Sequence, residues 1–148
     1  MKKLSLFLVA LFAFVATPLS AQSKGIATSA DPRATAAGAE ILAKGGSASD
    51  AAMAMMLALT VVEPQSSGIG GGGFLVHYDA KGATISTING RETAPAAATP
   101  QRFTDAEGKP LPFLQAFPGG KSVGVPGNIS LMAEAHRKWG KLKWAEIF

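Results

Sequence analysis

SASDAAMAMMLALTVVEPQSSGIGGGGFLVHY, residues 47–78, joins an apolar segment to a glycine run and then to a segment rich in aromatic and β-branched residues. Ser47, followed three positions later by Asp50, resembles a capping box with Asp in place of the usual Glu or Gln. The segment Ala51–Val62 carries Thr60 as its one polar side chain. A helix that is apolar on every side has to be buried on every side, so the sequence predicts a buried central helix here.

A β-hairpin is predicted directly after this helix. Pro64 disfavours helical geometry at the residue before it and therefore marks the helix end. Residues 74–78 and 83–88 are both rich in strand-forming side chains, and the turn sequence of residues 79–82 separates them. Helices followed by a hairpin favour an α/β fold in which a helical layer packs on a sheet.

Two further helices flank this centre. Residues 33–44 have apolar positions at helical spacing, a polar cap and Pro32 before them, and Gly45 after them as a left-handed stop. Recurrent prolines predict mostly extended or irregular chain over residues 93–127, with room for short helices. A last helix is expected from Asn128, a good cap residue, to Trp139, with glycine as its stop.

The first residues have the pattern of a secretory signal. A basic start is followed by an apolar run over residues 4–16, by Pro18 and by small residues that end in Ala21. Because a membrane span needs about 20 apolar residues, the shorter run favours a cleaved signal over an uncleaved anchor. We therefore expect a signal peptide at residues 1–21, a body of one domain at residues 22–148, a periplasmic or secreted location, and no membrane attachment after cleavage.

Composition excludes several function classes. The chain has 148 residues, of which 47% are hydrophobic and 16% charged, with a formal net charge of +4 and no cysteine. Without cysteine there are no disulfides, no thiolate catalysis and no thiolate-bound metal. The net charge is too small, and the basic residues too scattered, for a nucleic-acid-binding surface. Because the chain stops on apolar Phe148 without a cap or polar tail, we expect it to be the amino-terminal piece of a longer protein.

Two glycine-containing motifs look like phosphate-binding loops but lack the required context. Residues 68–73 match G-x-G-x-x-G, yet a helix precedes them and a strand follows, which reverses the order of a dinucleotide site. Gly120-Lys121-Ser122 lacks the first glycine of a phosphate loop and a following helix. The glycine run is therefore interpreted as a tight crossover, a surface that approaches a ligand, or both.

Arg91 is the candidate binding residue. It is expected at the end of the second hairpin strand, where a guanidinium can hold a carboxylate through two parallel hydrogen bonds. The alternative is an ion pair with Glu92 or simple surface exposure. His77 and His136 have no partner at metal-ligand spacing, so core or surface roles are expected for both, and no metal site is predicted.

Five motifs follow one another along the chain: residues 30–35 (ADPRAT), 45–52 (GGSASDAA), 61–74 (VVEPQSSGIGGGGF), 91–95 (RETAP) and 124–127 (GVPG). In this order they resemble the start of the large subunit in the gamma-glutamyltransferase (glutathione hydrolase) family. The similarity runs over essentially all of residues 25–148.

The resemblance implies an α/β fold that is part of the αββα sandwich of the amino-terminal-nucleophile hydrolases. It implies a proenzyme that cuts itself and exposes a threonine at the start of a small subunit. That threonine attacks the γ-amide carbonyl of glutathione or a related γ-glutamyl compound, and the acyl group passes to water or to an amino-acid acceptor. No cofactor takes part.

For this chain the resemblance implies a substrate-binding role without a catalytic one. The arginine of the family's Arg-Glu-x-Ala-Pro motif binds the substrate α-carboxylate, and this role transfers to Arg91. The nucleophile lies in the small subunit, so no catalytic residue is expected here and the small subunit is the expected partner. The glycine run becomes structural support behind the pocket. The alternatives are a β-lactam (glutaryl) acylase of the same fold and a non-catalytic exported binding domain.

Overall fold

The computed structural model of the protein describes residues 25–148, so the predicted signal peptide lies outside the described residues. The elements are, in chain order, α1 (Pro32–Ala43), α2 (Ala48–Val62), β1 (Gly73–Asp79), β2 (Thr84–Gly90), a 3₁₀ turn (Pro100–Phe103), α3 (Phe113–Ala116), a second 3₁₀ turn (Gly120–Ser122), α4 (Asn128–Trp139) and α5 (Trp144–Ile147). Helix α2 packs on α1 and α4, and α4 packs on both strands. The result is a helical layer on one face of a hairpin.

Helix α1 begins and ends as the sequence predicts, to within one residue at each end. The carboxylate of Asp31 accepts a hydrogen bond from the backbone N–H of Arg33 at 2.8 Å, and Pro32 occupies the first helical position. At the other end Gly45 has a φ of 88°. Its N–H and that of Gly46 donate to carbonyls in the last turn of the helix, which satisfies groups that would otherwise lack partners.

Helix α2 starts earlier than predicted and is less buried. The capping box is confirmed: the Ser47 hydroxyl accepts from the N–H of Asp50 at 3.0 Å, and the Asp50 carboxylate accepts from the N–H of Ser47 at 2.8 Å. The expectation of burial on every side is wrong, because Val61 near the end of the helix is 77% exposed. The first half of α2 is mostly buried, whereas the second half is half-buried apart from the exposed Val61.

The predicted hairpin is confirmed, with antiparallel pairing from Gly73↔Gly90 to Asp79↔Thr84. Leu75 and Ile88 are partly buried against the helices. On the opposite face Phe74, Val76, Tyr78 and Ile85 are 60–71% exposed. Alternation along a strand sends successive side chains to opposite faces, so one face of this hairpin completes the core and the other stays open.

The core lies between α2, α4 and the hairpin. Met53, Leu131 and Met132 are each no more than 2% exposed, and Ala135 packs among them. Burying an aliphatic side chain of this size contributes about 1.5–3 kcal/mol, so these residues carry much of the stability. Residues 93–127 are irregular with short helices, as predicted, and an isolated bridge between Thr93 and Val125 returns the chain to the end of β2.

Helix α4 has the predicted bounds, but the prediction that Asn128 caps it is wrong. The cap position is Gly127, and no side chain caps the helix there. Asn128 instead donates from its side-chain amide to the carbonyl of Gly68 at 2.6 Å. Gly140 ends the helix in an extended conformation rather than a left-handed one.

Candidate functional site

Arg91 follows directly after β2, at the edge where the chain leaves the sheet. Its backbone N–H donates to the side-chain oxygen of Asn89 at 3.0 Å, which turns the chain away from β1. Gly90 before it is buried against α4, and a Cβ there would lie 2.5 Å from the Cβ of Leu131. The end of β2 is therefore held by packing, and Arg91 is the first side chain beyond it that can reach open space.

The guanidinium of Arg91 contacts the carboxylate of Glu92, so the ion pair weighed as an alternative is present. Nη1 of Arg91 lies 2.9 Å from Oε2 of Glu92, and the Arg91 side chain is 64% exposed. Oε2 of Glu92 is buried and has no aligned hydrogen-bond donor among the described residues. The contact between Arg91 and Glu92 is therefore an ion pair without a hydrogen bond. A guanidinium has five N–H donors, and this contact leaves an edge of Arg91 available to a ligand.

The glycine run lies directly behind Glu92. A Cβ at Gly72 would lie 2.6 Å from both Oε2 of Glu92 and the carbonyl oxygen of Gly90. The carbonyl of Gly71 accepts hydrogen bonds from the N–H groups of Gly127 and Asn128 at 3.0 and 3.1 Å. These contacts agree with the interpretation of the run as support behind the site, since its close neighbours are protein backbone and one carboxylate.

A cleft of about 340 Å³ opens beside Arg91, and we call it the Arg91 cleft. Its lining residues come from three segments, residues 91–95, 98–103 and 121–124. Arg102 joins two of these segments: its Nε donates to the carbonyl of Lys121 at 2.6 Å, and its Nη2 donates to the carbonyl of Gly120 at 3.2 Å. The lining segment of residues 121–124 is thus held by the Arg102 side chain and, at its far end, by the bridge between Thr93 and Val125.

The Arg91 cleft is electropositive. Three cationic side chains line it, from Arg91, Arg102 and Lys121, against the single carboxylate of Glu92. The salt bridges of residues 25–148 include neither Arg102 nor Lys121. Walls of low dielectric focus such an excess of positive charge, which favours an anionic ligand group.

A second cleft, of about 470 Å³, lies on the other side of Arg91, and Ser130 and Glu134 help to line it. A side-chain hydrogen bond from Arg137, supported by Lys138, lowers the pKa of Glu134 to about 2. Its carboxylate is therefore ionised at neutral pH. Of the two clefts beside Arg91, the Arg91 cleft is the one whose charges suit a carboxylate.

Both histidines have structural neighbours. The ring of His77 stacks on Trp139 with 4.2 Å between centroids, and its Nδ1 lies 3.4 Å from the hydroxyl of Ser49. Nε2 of His136 lies 2.8 Å from the carbonyl of Leu142 and so is the donor there. The predicted core and surface roles agree with these contacts. Among residues 25–148, no group of three acidic, histidine or cysteine side chains could hold a metal ion.

Sequence reasoning missed Arg102 and gave Lys121 no role in a site. Lys121 was singled out only within a false phosphate loop, and Arg102 carries no motif. Their partnership joins positions that are 19 residues apart. No local signal reports such a contact between irregular segments.

No helix in the described part of the chain is long and apolar enough to cross a membrane.

Comparison with known proteins gives consistent likenesses. The sequence model of the family described as Gamma-glutamyltranspeptidase matches residues 34–148. The glutathione hydrolase proenzyme of Bacillus subtilis (strain 168) is 49% identical over 116 residues, which cover 78% of this chain and 20% of that relative. This chain thus spans about a fifth of the length of the curated relatives it matches.

Solved structures of related enzymes are similar to this chain as well. The gamma-glutamyltranspeptidase from Pseudomonas nitroreducens, complexed with L-DON, superimposes with a TM-score of 0.78 at 38% identity, over 84% of this chain and 36% of that one. The cephalosporin acylase from Bacillus halodurans superimposes with a TM-score of 0.64 at 32% identity, over 78% of this chain and 21% of that one.

The helical layer on the hairpin is accordingly a part of the α/β sandwich of the amino-terminal-nucleophile hydrolases, as predicted. Within that fold class the chain belongs to the gamma-glutamyltranspeptidase family, which is a family of enzymes.

Proposed function

We propose that this chain supplies the donor-binding wall of an enzyme that cleaves the γ-glutamyl amide of glutathione and related compounds. The acyl group passes to water or to an amino-acid acceptor. In this proposal Arg91 binds the α-carboxylate of the γ-glutamyl group. Membership of the family supports the reaction class, and the Arg91 cleft supports the place of the donor.

One observation carries the proposal: the free edge of the Arg91 guanidinium lines an electropositive cleft at a packed strand end. Such an edge can pair with a carboxylate through two parallel hydrogen bonds, which fixes the direction of the ligand as well as its position. Holding the α-carboxylate limits the positions that the γ-amide, whose C–N bond breaks, can take. Binding at this point therefore presents the amide to a nucleophile in one register.

The attacking group comes from elsewhere in the complete protein. A threonine at the amino terminus of a small subunit, exposed when the proenzyme cuts itself, attacks the γ-amide carbonyl with its own amine as base. The residues of this chain bind and orient the donor and take no covalent part, and no cofactor is required. The small subunit is thus the main partner of this chain.

Export is part of the same proposal. The secretory pattern of residues 1–21 supports cleavage after Ala21 and a periplasmic or secreted enzyme. Amino-terminal sequencing of the protein from its native host tests this, with Gln22 expected as the first residue. A mature protein that still begins at Met1 would contradict it.

Donor kinetics of the complete enzyme test the role of Arg91. Arg91→Ala should raise the KM for γ-glutamyl donors about tenfold to a hundredfold, the cost of losing a charged hydrogen-bonding pair. Arg91→Lys should restore little, because an ammonium cannot form the two parallel bonds. Arg33→Ala is the matched control, since Arg33 is exposed, pairs with Asp31 and does not line the cleft. Unchanged donor kinetics in both Arg91 variants would remove Arg91 from the pocket.

A β-lactam side-chain acylase is the second candidate, and the likeness to the cephalosporin acylase favours it. A glutaryl group carries a terminal carboxylate that Arg91 could bind in the same way. Competition between glutathione and a glutaryl β-lactam at the complete enzyme separates the two. Preferential turnover of glutathione supports the transferase and hydrolase function, and preferential turnover of the β-lactam supports the acylase.

A further inference from the structure

The lining of the Arg91 cleft includes the segment of residues 121–124, whose Lys121 ammonium the proposed function leaves unused. Lys121 is exposed and lines the cleft. It takes part in no salt bridge among residues 25–148. A ligand whose first carboxylate is held by Arg91 therefore shares the cleft with a second cation.

The backbone that carries Lys121 is fixed by side-chain hydrogen bonds. Arg102 donates to the carbonyls of Lys121 and Gly120. The hydroxyl of Ser122 is bonded to the carbonyls of Phe117 and Gly119, at 2.5 and 3.1 Å. Binding through Lys121 thus orders one side chain and no loop, which reduces the entropic cost of the contact.

The remaining charges of the cleft favour a second anionic group. The carboxylate of Glu92 lies against Arg91 and offsets the positive charge of that guanidinium, but it pairs with neither Arg102 nor Lys121. Arg102 keeps its positive charge and adds to the positive potential of the cleft, while its Nε and Nη2 are already bonded to backbone carbonyls. Besides Arg91, Lys121 is the cation of the cleft whose donors no described residue occupies.

We propose that Lys121 is a specificity-determining residue that binds a second carboxylate, on the leaving-group side of the donor. The preferred donors are then γ-glutamyl amides of amino acids or peptides, whose leaving group ends in a carboxylate, over γ-glutamyl amides with a neutral leaving group. This inference rests on the proposed function, because it takes Arg91 as the anchor of the α-carboxylate.

The test compares two donors at the complete enzyme, glutathione and a neutral γ-glutamyl anilide. Lys121→Gln should raise the KM for glutathione about three- to fivefold, the effect of losing one exposed charge pair, and leave the KM for the anilide unchanged. Lys121→Arg should keep the wild-type preference. Added salt should weaken glutathione binding more in the wild type than in Lys121→Gln, because screening acts on the charge contact.

Lys81→Gln is the matched control, since Lys81 is exposed at the hairpin turn and lies outside the cleft. An equal loss with both donors would overturn the inference, as would no change with either. A failure of the proposed function looks different: Arg91→Ala would then leave both donors unaffected. If Arg91→Ala weakens both donors and Lys121→Gln weakens neither, the proposed function stands and Lys121 has no role in specificity.

Discussion

The carboxylate of Asp50, in the first turn of α2, accepts a hydrogen bond from the backbone N–H of Lys141 at 2.9 Å, across 91 positions of sequence. The same oxygen, Oδ2, accepts from the N–H groups of Leu142 at 3.2 Å and of Ser47 at 2.8 Å. Asp50 is fully buried. One side chain therefore both caps α2 and attaches the segment between α4 and α5 to the helical layer.

The Asp50 carboxylate is held in its ionised form. Burial alone would raise its pKa, but the hydrogen bonds from Ser47, Lys141 and Leu142 together outweigh burial and lower the pKa below the ordinary value of 3.8. Since the folded-state pKa is the lower one, the stabilisation is complete above the ordinary carboxyl pKa. It is lost as the pH falls through the folded-state value.

We expect Asp50→Asn to lower the free energy of unfolding by about 1–3 kcal/mol near neutral pH, because neutral hydrogen bonds replace charged ones. The difference from the wild type should shrink below the ordinary carboxyl pKa of 3.8. Urea unfolding of the complete protein over a pH series measures both effects. Asp79→Asn, at the exposed hairpin turn, is the control and should change little. A difference between Asp50→Asn and the wild type that is the same at every pH would contradict this account.

The close approach of Gly127 to β2 gives a second prediction. A Cβ at Gly127 would overlap the carbonyl oxygen of Gly90 and lie 3.3 Å from that of Arg91. Backbone atoms cannot rotate away as a side chain can, so Gly127→Ala must move the strand end that carries Arg91.

Gly127→Ala should destabilise the complete protein by about 3 kcal/mol, at the upper end of the usual cost of overpacking, and should also raise the donor KM. Thermal unfolding and donor kinetics measure the two effects. Gly70→Ala is the control, since a Cβ at Gly70 meets nothing within 4 Å. Equal behaviour of the two variants would show that the approach of Gly127 to Gly90 is not tight.

The elements that sequence could predict are those set by local interactions. The capping box of Ser47 and Asp50 spans three residues, and the stop at Gly45 needs only a left-handed conformation. The hairpin of residues 74–88 was likewise predictable, because its strand-forming runs and its turn lie next to one another in the sequence. Each signal lies within a few residues of the feature it determines.

The predictions that failed depend on distant partners. Burial of α2 depends on what packs against it, and its apolar sequence could not show that Val61 remains exposed. Asn128 looked like a cap because cap preference is local, whereas its amide partner, Gly68, is 60 residues away. Within the candidate site, Arg91 was found through its motif, while the hydrogen bond from Arg102 to Lys121 joins irregular segments that no periodicity aligns.

The last prediction concerns Asn128, whose side-chain amide has a hydrogen-bond partner at its nitrogen but none at its oxygen among the described residues. The amide nitrogen donates to the carbonyl of Gly68, while the side-chain oxygen is buried and has no donor among the described residues. Asn128→Asp puts a carboxylate oxygen against that carbonyl, and two acceptors at 2.6 Å repel each other. Asn128→Ala removes the hydrogen bond without adding this repulsion.

We therefore expect Asn128→Asp to be less stable than Asn128→Ala at neutral pH, although Asp is closer in shape to Asn. An ionised acid at the start of a helix gains about 0.3–1 kcal/mol from the helix dipole. A buried acceptor without a donor costs about 1–3 kcal/mol, so the cost outweighs the gain.

The penalty of Asn128→Asp should depend on pH. Burial without donors raises the folded-state pKa of the new acid, so the penalty is full above that pKa and is relieved as the pH falls through it. The protonated acid can again donate to Gly68. Urea unfolding of both variants from about pH 8 to about pH 5 should show the stability of Asn128→Asp approaching or passing that of Asn128→Ala. Parallel stabilities across that range would mean that the side chain of residue 128 turns away from the glycine run.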